Sequence, residues 1–234
     1  MSSPTSTASV QGVFAPDTTA HPRQGPAPHG VVPRLHIVTD TRGGRDPLDD
    51  VRGALSAGAG AIQVRDKHAT DRALLDLTRR VLALAAPFGA WVLVDDRIDV
   101  AAVAGAHGAH LGADDLPVSD ARRVLGAVPV LGATARTPDA ARTATAAGAT
   151  YLGVGPAFTT RTKDGLPDPL GPAGIAAVAA ATALPVIAIG GVTPVHVPGL
   201  LAAGAHGVAV VTAISHAADA ADATAAFLLA LRQA

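Results

Sequence analysis

The sequence contains no cysteine, few aromatic residues and no long apolar run. Without cysteine the chain forms no disulfide, carries no thiolate metal site and has no cysteine nucleophile, and the redox compartment is left open. No apolar run reaches the roughly 20 residues that a membrane-spanning helix needs. Aromatic residues make up 3% of the chain and hydrophobic residues 49%, so we expect a large core built from aliphatic side chains.

The chain also lacks an excess of either charge. It has 18 Lys and Arg residues against 19 Asp and Glu residues, for a formal net charge of -1. Proteins that bind nucleic acid or anionic membranes usually carry a basic excess. We therefore expect neither a nucleic acid nor a membrane as a partner, and any bound anion must be recognised by a local group of charges.

The first part of the chain differs in composition from the rest. Residues 1–33 are rich in Ser, Thr, Pro, Gly and His, and they lack the basic and apolar regions of a signal peptide. We interpret them as a disordered tail and residues 34–234 as one catalytic domain, a length that suits a single α/β domain. A cytoplasmic location is the default expectation. A homo-oligomer stays open, because no interface pattern is evident.

Eight short apolar runs alternate with longer segments rich in Ala and Leu after the tail. The runs are Leu35–Thr39, Ala61–Arg65, Trp91–Asp95, Gly108–Leu111, Val130–Ala133, Tyr151–Gly155, Val186–Gly190 and Gly207–Val211. Most are continuously apolar, which is typical of parallel strands buried on both faces. The alternation predicts a strand followed by a helix, repeated eight times.

An Ala-Gly-Ala motif precedes every second run. The four copies are Ala57–Ala59, Ala104–Ala106, Ala147–Ala149 and Ala203–Ala205. Glycine ends a helix well and alanine allows a close approach to the next strand, so the copies indicate a repeated αβ unit. We predict a single (β/α)₈ TIM barrel. An open doubly wound sheet is the competitor, but no Gly-x-Gly-x-x-Gly motif follows the first run.

Charged residues collect just after the predicted strands, where the loops of a barrel converge. The cations there are Arg65, Lys67 and Lys163, and the carboxylates are Asp95, Asp96 and Asp115. Cations and carboxylates in one mouth predict Mg²⁺ joined to a polyphosphate. Gly190, Gly191 and Thr212 follow the last two runs, where barrels bind phosphate through backbone N–H groups.

Two simpler interpretations compete with this one. Arg65 and Lys67 are ordinary ion-pair partners in the first, yet strand alternation places them with Gln63 on one face, and such a polar row does not pack in an apolar core. The second is a zinc site at His107 and His110. Their spacing does not suit one helical face and no third ligand is evident, so we disfavour it.

Seven segments, in order, resemble the thiamine phosphate synthase family. They are Leu35–Asp40, Gln63–Lys67, Asp95–Ala101, His110–Pro117, Gly153–Phe158 with Thr160–Lys163, Ile189–Thr193 and Gly207–Val211. The resemblance covers nearly all of the chain after the tail. It implies a transferase that joins a pyrimidine methyl diphosphate to a thiazole phosphate, with release of pyrophosphate and formation of thiamine phosphate.

The resemblance also implies a role for each matching residue. Gln63 contacts the pyrimidine, and Asp95 is a substrate-binding residue beside the diphosphate. Arg65, Lys67 and Lys163 hold the diphosphate and Thr134 stands near it, and these four are the catalytic residues. Asp96 and Asp115 bind Mg²⁺. The thiazole phosphate is lined by Thr160 and Thr162, and by backbone donors of Gly191, Val211 and Thr212. Residues 164–169 are expected to form a mobile flap that excludes water.

Several positions depart from the family's pattern. Asp95 stands where Asn is usual, which removes an amide donor and adds negative charge beside a diphosphate. Ala113 stands where the family often has Gln, and Thr159 stands where it often has Pro. The family also often has a His near the position of Arg136. Two alternatives therefore stay open: a thiazole tautomerase of the sister family, whose members typically lose the basic and metal-binding residues, and a non-catalytic protein that binds thiamine-related phosphates.

Overall fold

A computed structural model of the chain describes residues 31–126, 130–160, 162, 165 and 167–233. Eight parallel strands close into a barrel in chain order, and β8 pairs with β1 to complete it. The strands are β1 (Leu35–Val38), β2 (Ala61–Val64), β3 (Trp91–Asp95), β4 (Gly108–Leu111), β5 (Val130–Thr134), β6 (Tyr151–Val154), β7 (Val186–Ile189) and β8 (Gly207–Val210). The predicted (β/α)₈ barrel is confirmed.

Helices surround the barrel and connect consecutive strands. They are α1 (Leu48–Ser56), α2 (Asp71–Ala85), α3 (Ile98–Ala104), α4 (Val118–Leu125), α5 (Pro138–Ala146), α6 (Gly171–Ala179), α7 (Val197–Ala202), α8 (Thr212–Ser215) and α9 (Ala220–Gln233). Thr70 and Thr137 cap α2 and α5, each accepting a hydrogen bond from a backbone N–H of the first turn. Across the described segments, no helix combines the length and apolarity that membrane crossing requires.

The strands bury both faces, which explains why the runs read as continuously apolar. In β3, Val92 and Val94 pack outward against the helices, whereas Trp91 and Leu93 pack inside the barrel. Asp95 follows the inward alternation and so lies at the mouth. Interior packing therefore places every second residue of a strand on the axis, and the last inward residue of each strand faces the pocket.

The four Ala-Gly-Ala segments join helices to strands as expected. Their glycines have φ values of 101°, 71°, 96° and 88° at Gly58, Gly105, Gly148 and Gly204. Residues with side chains rarely adopt this left-handed backbone conformation. It lets the chain leave a helix and enter the next strand after only three or four residues.

Residues 1–30 of the predicted tail lie outside the described residues. Val32, the second of the described residues, is buried among the apolar side chains inside the barrel. Its carbonyl oxygen lies 2.7 Å from His206 Nε2, and the next carbonyl, that of Pro33, lies 3.0 Å from His36 Nε2. These contacts close the end of the barrel opposite the mouth.

Candidate active site

A pocket opens at the C-terminal ends of the strands, and most of the predicted site residues line it. They are Gln63, Arg65, Lys67, Asp95, Asp96, Thr134, Thr160, Thr162, Gly191, Val211 and Thr212. Asp115 contacts Asp96 beside the pocket. Lys163 lies outside the described residues, so its predicted role stays a prediction, as does the flap over residues 164–169.

The cations of the mouth come from the segment that follows β2. Thr39, after β1, fixes its start: its hydroxyl accepts from Arg65 N at 2.9 Å and donates to Arg65 O at 3.1 Å. Lys67 extends across to the end of β3, where its Nζ lies 2.9 Å from Asp96 Oδ2. One side of the pocket thus carries two cations, and one of them already contacts a carboxylate.

Asp96 has a backbone conformation that non-glycine residues seldom adopt, with φ at 67°. It is the only non-glycine residue of the described chain with positive φ, and this strain is typical of functional positions. The conformation turns its carboxylate toward Asp115. Asp115 Oδ2 in turn accepts a hydrogen bond from Gly112 N at 2.6 Å, which holds it in place.

The two carboxyl groups interact through a hydrogen bond, which shifts their pKa values in opposite directions. Burial raises the pKa of Asp115, and its hydrogen bond with Asp96 raises it further. Burial also acts to raise the pKa of Asp96, but hydrogen bonds with Asp115 and Lys67 outweigh it and leave that pKa below its usual value. Asp96 is the more acidic of the two, because the ammonium of Lys67 lies beside it.

This pair fits Mg²⁺ in its donor chemistry. Within the described ranges, no group of three or more His, Cys, Asp or Glu side chains comes together as a metal site. A polyphosphate-binding Mg²⁺ does not need one, because one or two carboxylates suffice when phosphate oxygens and water complete the shell. The all-oxygen pair of Asp96 and Asp115, beside Lys67 and Arg65, matches that requirement.

Asp95 places a buried carboxyl group on the pocket wall. It is 8% exposed, and its buried Oδ1 has no hydrogen-bond partner in the part of the chain that the structure describes. Burial and the negative charge of Asp96 raise its pKa well above the usual value, although Arg65 and Lys67 oppose this. A buried polar atom without a partner costs free energy, which a ligand that donates a hydrogen bond would recover.

The opposite side of the pocket is built from backbone. Gly190 and Gly191 follow β7 with φ values of 95° and 65°. A Cβ on Gly191 would lie 2.5 Å from Thr159 O, so only glycine allows this turn to approach the loop after β6 so closely. Val211 and Thr212 follow β8 at the start of α8. The pocket wall here offers backbone groups in place of charged side chains.

Two arginines hold the loop that follows β6. Arg136 donates to Gly155 O at the start of this loop and to Asp168 O near its end. Arg42, which forms a two-bond ion pair with Asp40, also donates to Thr162 O at 3.3 Å. Within the loop, the hydroxyl groups of Thr160 and Thr162 lie 3.0 Å apart. The loop therefore presents both hydroxyls from a backbone that arginine side chains bind at three points.

The sequence interpretation missed three inward-facing polar residues, two that line the pocket and one, His36, that lies buried beneath it. His36, His110 and Tyr151 point inward from β1, β4 and β6 and join Gln63 and Thr134 in one hydrogen-bonded group. His110 was considered only as a zinc ligand. The available signal was a polar residue at an inward position of each apolar strand, but the sequence does not say which of them meet.

The buried imidazoles predict a loss of stability in acid. Burial, with His110 nearby, lowers the pKa of His36 to about 3, and burial lowers that of His110 to about 4. In the unfolded chain these two imidazoles bind protons near pH 6.5, whereas in the folded chain they do not. Stability is therefore present above pH 6.5 and is lost as pH falls toward the folded values. Between pH 6.5 and 5 we expect a loss of about 2 kcal/mol for each imidazole.

Denaturant unfolding of the wild type and of His36→Leu at both pH values measures this effect. The variant should lose part of the histidine-dependent pH slope, because it removes one of three imidazoles, those of His36, His107 and His110, whose pKa burial lowers. Replacing the exposed His68 with Asn serves as the control and should leave the slope unchanged. An equal slope in wild type and His36→Leu would show that His36 titrates normally in the folded chain.

Comparisons with known proteins give one consistent result. A family model described as thiamine monophosphate synthase matches residues 35–214. A thiamine-phosphate synthase of Salinispora arenicola is 60% identical over 201 residues, which cover 85% of this chain and 97% of that protein. A thiamine-phosphate synthase of Moorella thermoacetica is 44% identical over 187 residues, 79% of this chain and 89% of the relative.

Solved structures agree with the sequence matches. A thiamine phosphate pyrophosphorylase from Pyrococcus furiosus superposes with a TM-score of 0.79 at 32% identity, covering 86% of this chain and 96% of that one. A 3-hexulose-6-phosphate synthase with a TM-score of 0.64 is only 19% identical and so shows the shared barrel alone.

Proposed function

This chain belongs to the thiamine monophosphate synthase family, and from that premise we propose how its mouth carries out the reaction. Its activity is that of a thiamine-phosphate synthase, a transferase of thiamine biosynthesis. The reaction joins a pyrimidine methyl diphosphate to a thiazole phosphate and releases pyrophosphate. The pocket must therefore hold two phosphorylated molecules at once, one with a diphosphate and one with a monophosphate.

We assign the diphosphate to the side of the pocket that carries the charges. Arg65 and Lys67 reach it from the segment after β2, and Asp96 with Asp115 would hold Mg²⁺. Bound there, Mg²⁺ supplies Lewis-acid stabilisation of the charge on the leaving group. The observation that carries this assignment is the strained Asp96, which brings two carboxyl groups together beside two cations.

We assign the thiazole phosphate to the backbone side of the pocket. Gly191, Val211 and Thr212 offer backbone groups there, and the hydroxyls of Thr160 and Thr162 face the same space. A monophosphate bound by neutral donors places the thiazole ring between the two sides. The thiazole nitrogen then approaches the methylene carbon of the pyrimidine without any charged protein group in between.

The proposed reaction needs no protein nucleophile. The bond between the methylene carbon and the diphosphate oxygen breaks, and its electron pair leaves with pyrophosphate. The electron-rich aminopyrimidine carries the complementary positive charge, and the lone pair of the thiazole nitrogen forms the new C–N bond. The work of Arg65 and Lys67, and of Lys163 by resemblance, is to stabilise negative charge as it develops on pyrophosphate.

One of the two alternatives left open by the sequence, the thiazole tautomerase, predicts a different mouth. A thiazole tautomerase has no diphosphate to bind, and its members typically lose the basic and metal-binding residues. Arg65, Lys67, Asp96 and Asp115 lie together here, which supports the synthase assignment.

Both substrates carry phosphate charges that do not cross a bilayer readily, and this supports the cytoplasm as the proposed site of action.

Pyrophosphate release with both substrates and Mg²⁺ tests the proposal, with thiazole isomerisation measured in parallel on the same protein. We expect release to stop when the metal is chelated and to return when Mg²⁺ or Mn²⁺ is restored. Undiminished release in a metal-free solution would refute the metal assignment. Isomerisation without pyrophosphate release would favour the tautomerase.

Replacing Asp95 with Asn is expected to lower the KM for the pyrimidine diphosphate by about three- to tenfold, with little change in kcat. The amide has the shape of the carboxyl group, removes a potential negative charge beside the diphosphate and adds a donor. Steady-state kinetics with each substrate varied in turn measure the effect. A higher KM in the variant would mean that the carboxyl group itself binds substrate.

A further inference from the structure

A chain of five hydrogen bonds crosses the interior of the barrel from its closed end to the pocket. The successive contacts join Pro33 O to His36 Nε2 (3.0 Å), His36 Nδ1 to Gln63 Nε2 (2.9 Å), Gln63 Nε2 to Tyr151 Oη (3.1 Å), Tyr151 Oη to His110 Nδ1 (3.0 Å), and His110 Nε2 to Thr134 Oγ1 (3.1 Å). Its members come from five different strands and the segment before β1.

The direction of this chain follows from its first member. A carbonyl oxygen only accepts, so His36 must carry its proton on Nε2 and donate to Pro33. Burial lowers the pKa of His36 to about 3, which keeps the ring neutral and leaves Nδ1 as an acceptor. Gln63 must then present its amide nitrogen to His36. The opposite amide orientation would require a doubly protonated, buried imidazole.

The second half of the chain follows in the same way. The amide nitrogen of Gln63 only donates, so the oxygen of Tyr151 accepts from it. Tyr151 is fully buried, and its own proton therefore needs a partner, which His110 Nδ1 provides. His110 then carries its proton on Nε2 and donates to Thr134. Every group has one assigned role, beginning from a single carbonyl.

Two substrate-facing groups acquire a fixed polarity as a result. With its amide nitrogen engaged twice inside the barrel, Gln63 presents its carbonyl oxygen as the group left for a ligand. Thr134 accepts from His110 and keeps its own O–H proton for a ligand. Both residues line the pocket. One acceptor and one donor therefore face the substrate, and neither can exchange roles while the chain is intact.

We propose that His36, Tyr151 and His110 are positioning residues, which set Gln63 as an acceptor for the pyrimidine ring and Thr134 as a donor for the diphosphate of the same substrate. This inference rests on the proposed function. An aminopyrimidine carries an exocyclic amino group, which donates, next to ring nitrogens, which accept. The acceptor of Gln63 matches that amino group, whereas a pyrimidine with an oxo group in its place presents a second acceptor to Gln63. The donor of Thr134 matches the phosphate oxygens of the same substrate.

The barrel is shaped to accommodate the two central rings of this chain. Gly132 and Gly153 lie at inward positions of β5 and β6. A Cβ on Gly132 would lie 2.2 Å from Tyr151 Cζ, and one on Gly153 would lie 2.7 Å from His110 Cε1. The rings of His110 and Tyr151 have centroids 5.5 Å apart. Both rings thus occupy space that any larger residue at these positions would take.

Tyr151→Phe tests the proposal with little change in volume, because it removes one hydroxyl from the middle of the chain. We expect kcat/KM for the pyrimidine diphosphate to fall by about 10- to 100-fold, the effect of leaving buried groups unpaired. The KM for the thiazole phosphate should stay within about twofold of the wild-type value, because the change is local and the thiazole phosphate binds on the other side of the pocket. Equal kcat/KM in variant and wild type would overturn the proposal.

Thr78→Val is the matched control, since it also removes one buried hydroxyl, which donates to Leu74 O at 2.7 Å within α2. It should lower stability without changing kcat/KM.

A second variant, His36→Leu, frees the amide of Gln63. Wild type should bind the amino substrate at least about tenfold more tightly than its oxo analogue, and His36→Leu should narrow that ratio. An unchanged ratio would contradict the assigned polarity.

The histidine tautomers provide a readout that does not depend on activity. Side-chain ¹⁵N NMR of the folded wild type should show both His36 and His110 neutral and protonated on Nε2. In Tyr151→Phe, His110 should lose this preference while His36 keeps it. If the wild type releases no pyrophosphate, the proposed function fails, yet this measurement still tests the chain. A wild-type His110 protonated on Nδ1 would overturn the inference alone.

Discussion

Asp96→Asn is expected to lower kcat by about 100- to 1000-fold, the range seen when one fixed stabiliser of developing charge is removed. The variant loses the charged ligand of the proposed Mg²⁺ site and the ion pair with Lys67, whose Nζ lies 2.9 Å from Asp96 Oδ2. The fold should be kept, because Asn tolerates the φ of 67° found here. Pyrophosphate release as a function of Mg²⁺ concentration measures the loss, and the half-saturating concentration should rise.

Asp114→Asn is the matched control for this experiment. Asp114 is exposed on the same turn as Asp115, so its replacement removes one carboxylate without touching the pocket. We expect near-normal kcat and an unchanged Mg²⁺ dependence. If Asp96→Asn retained kcat within a few-fold of the wild type, as Asp114→Asn should, Asp96 would not hold the metal and the diphosphate assignment would have to move.

Gly132→Ala is expected to lower the free energy of unfolding by about 1–3 kcal/mol, the usual cost of overpacking a core, and to reduce turnover strongly. The added methyl group would meet Tyr151 Cζ at 2.2 Å and His110 Nδ1 at 2.4 Å. Neither ring can move without breaking the hydrogen-bond chain. Denaturant unfolding and pyrophosphate release on the same preparation measure both effects.

Gly199→Ala is the corresponding control. Gly199 lies in α7, and a Cβ there would meet nothing within 4 Å, so the substitution should be neutral or stabilise the helix. A Gly132→Ala variant with the stability and turnover of Gly199→Ala would show that the interior rings have room to move. The tight fit described for Tyr151 and His110 would then be wrong.

The strands could be predicted to within one residue because burial on both faces produces an unmistakable run of apolar residues. Val92 and Val94 face the helices and Leu93 faces the axis, so no position in the run is left polar until Asp95. The segments that join the helices to the strands could be predicted equally well. Gly58 and Gly204 need a left-handed conformation, and glycine is the residue that supplies it at no steric cost.

The charged half of the candidate site could also be predicted, since the loops of a barrel meet at one end. Arg65, Lys67 and Asp96 follow different strands, and closure of the barrel is sufficient to bring them together. What could not be predicted was the strain at Asp96 or the lack of a hydrogen-bond partner for Asp95 Oδ1 among the described residues. Both depend on neighbours that only the folded chain supplies.

The sequence by itself determined the barrel, the mouth and the family, because each depends on local pattern or on motifs in order along the chain. The tertiary structure alone decided the polarity of Gln63 and Thr134. Gln63 and Tyr151 are 88 residues apart and meet across the axis, where side-chain packing selects the contact. A hydrogen bond between distant strands leaves no trace in local periodicity, so its direction is settled only when the barrel closes.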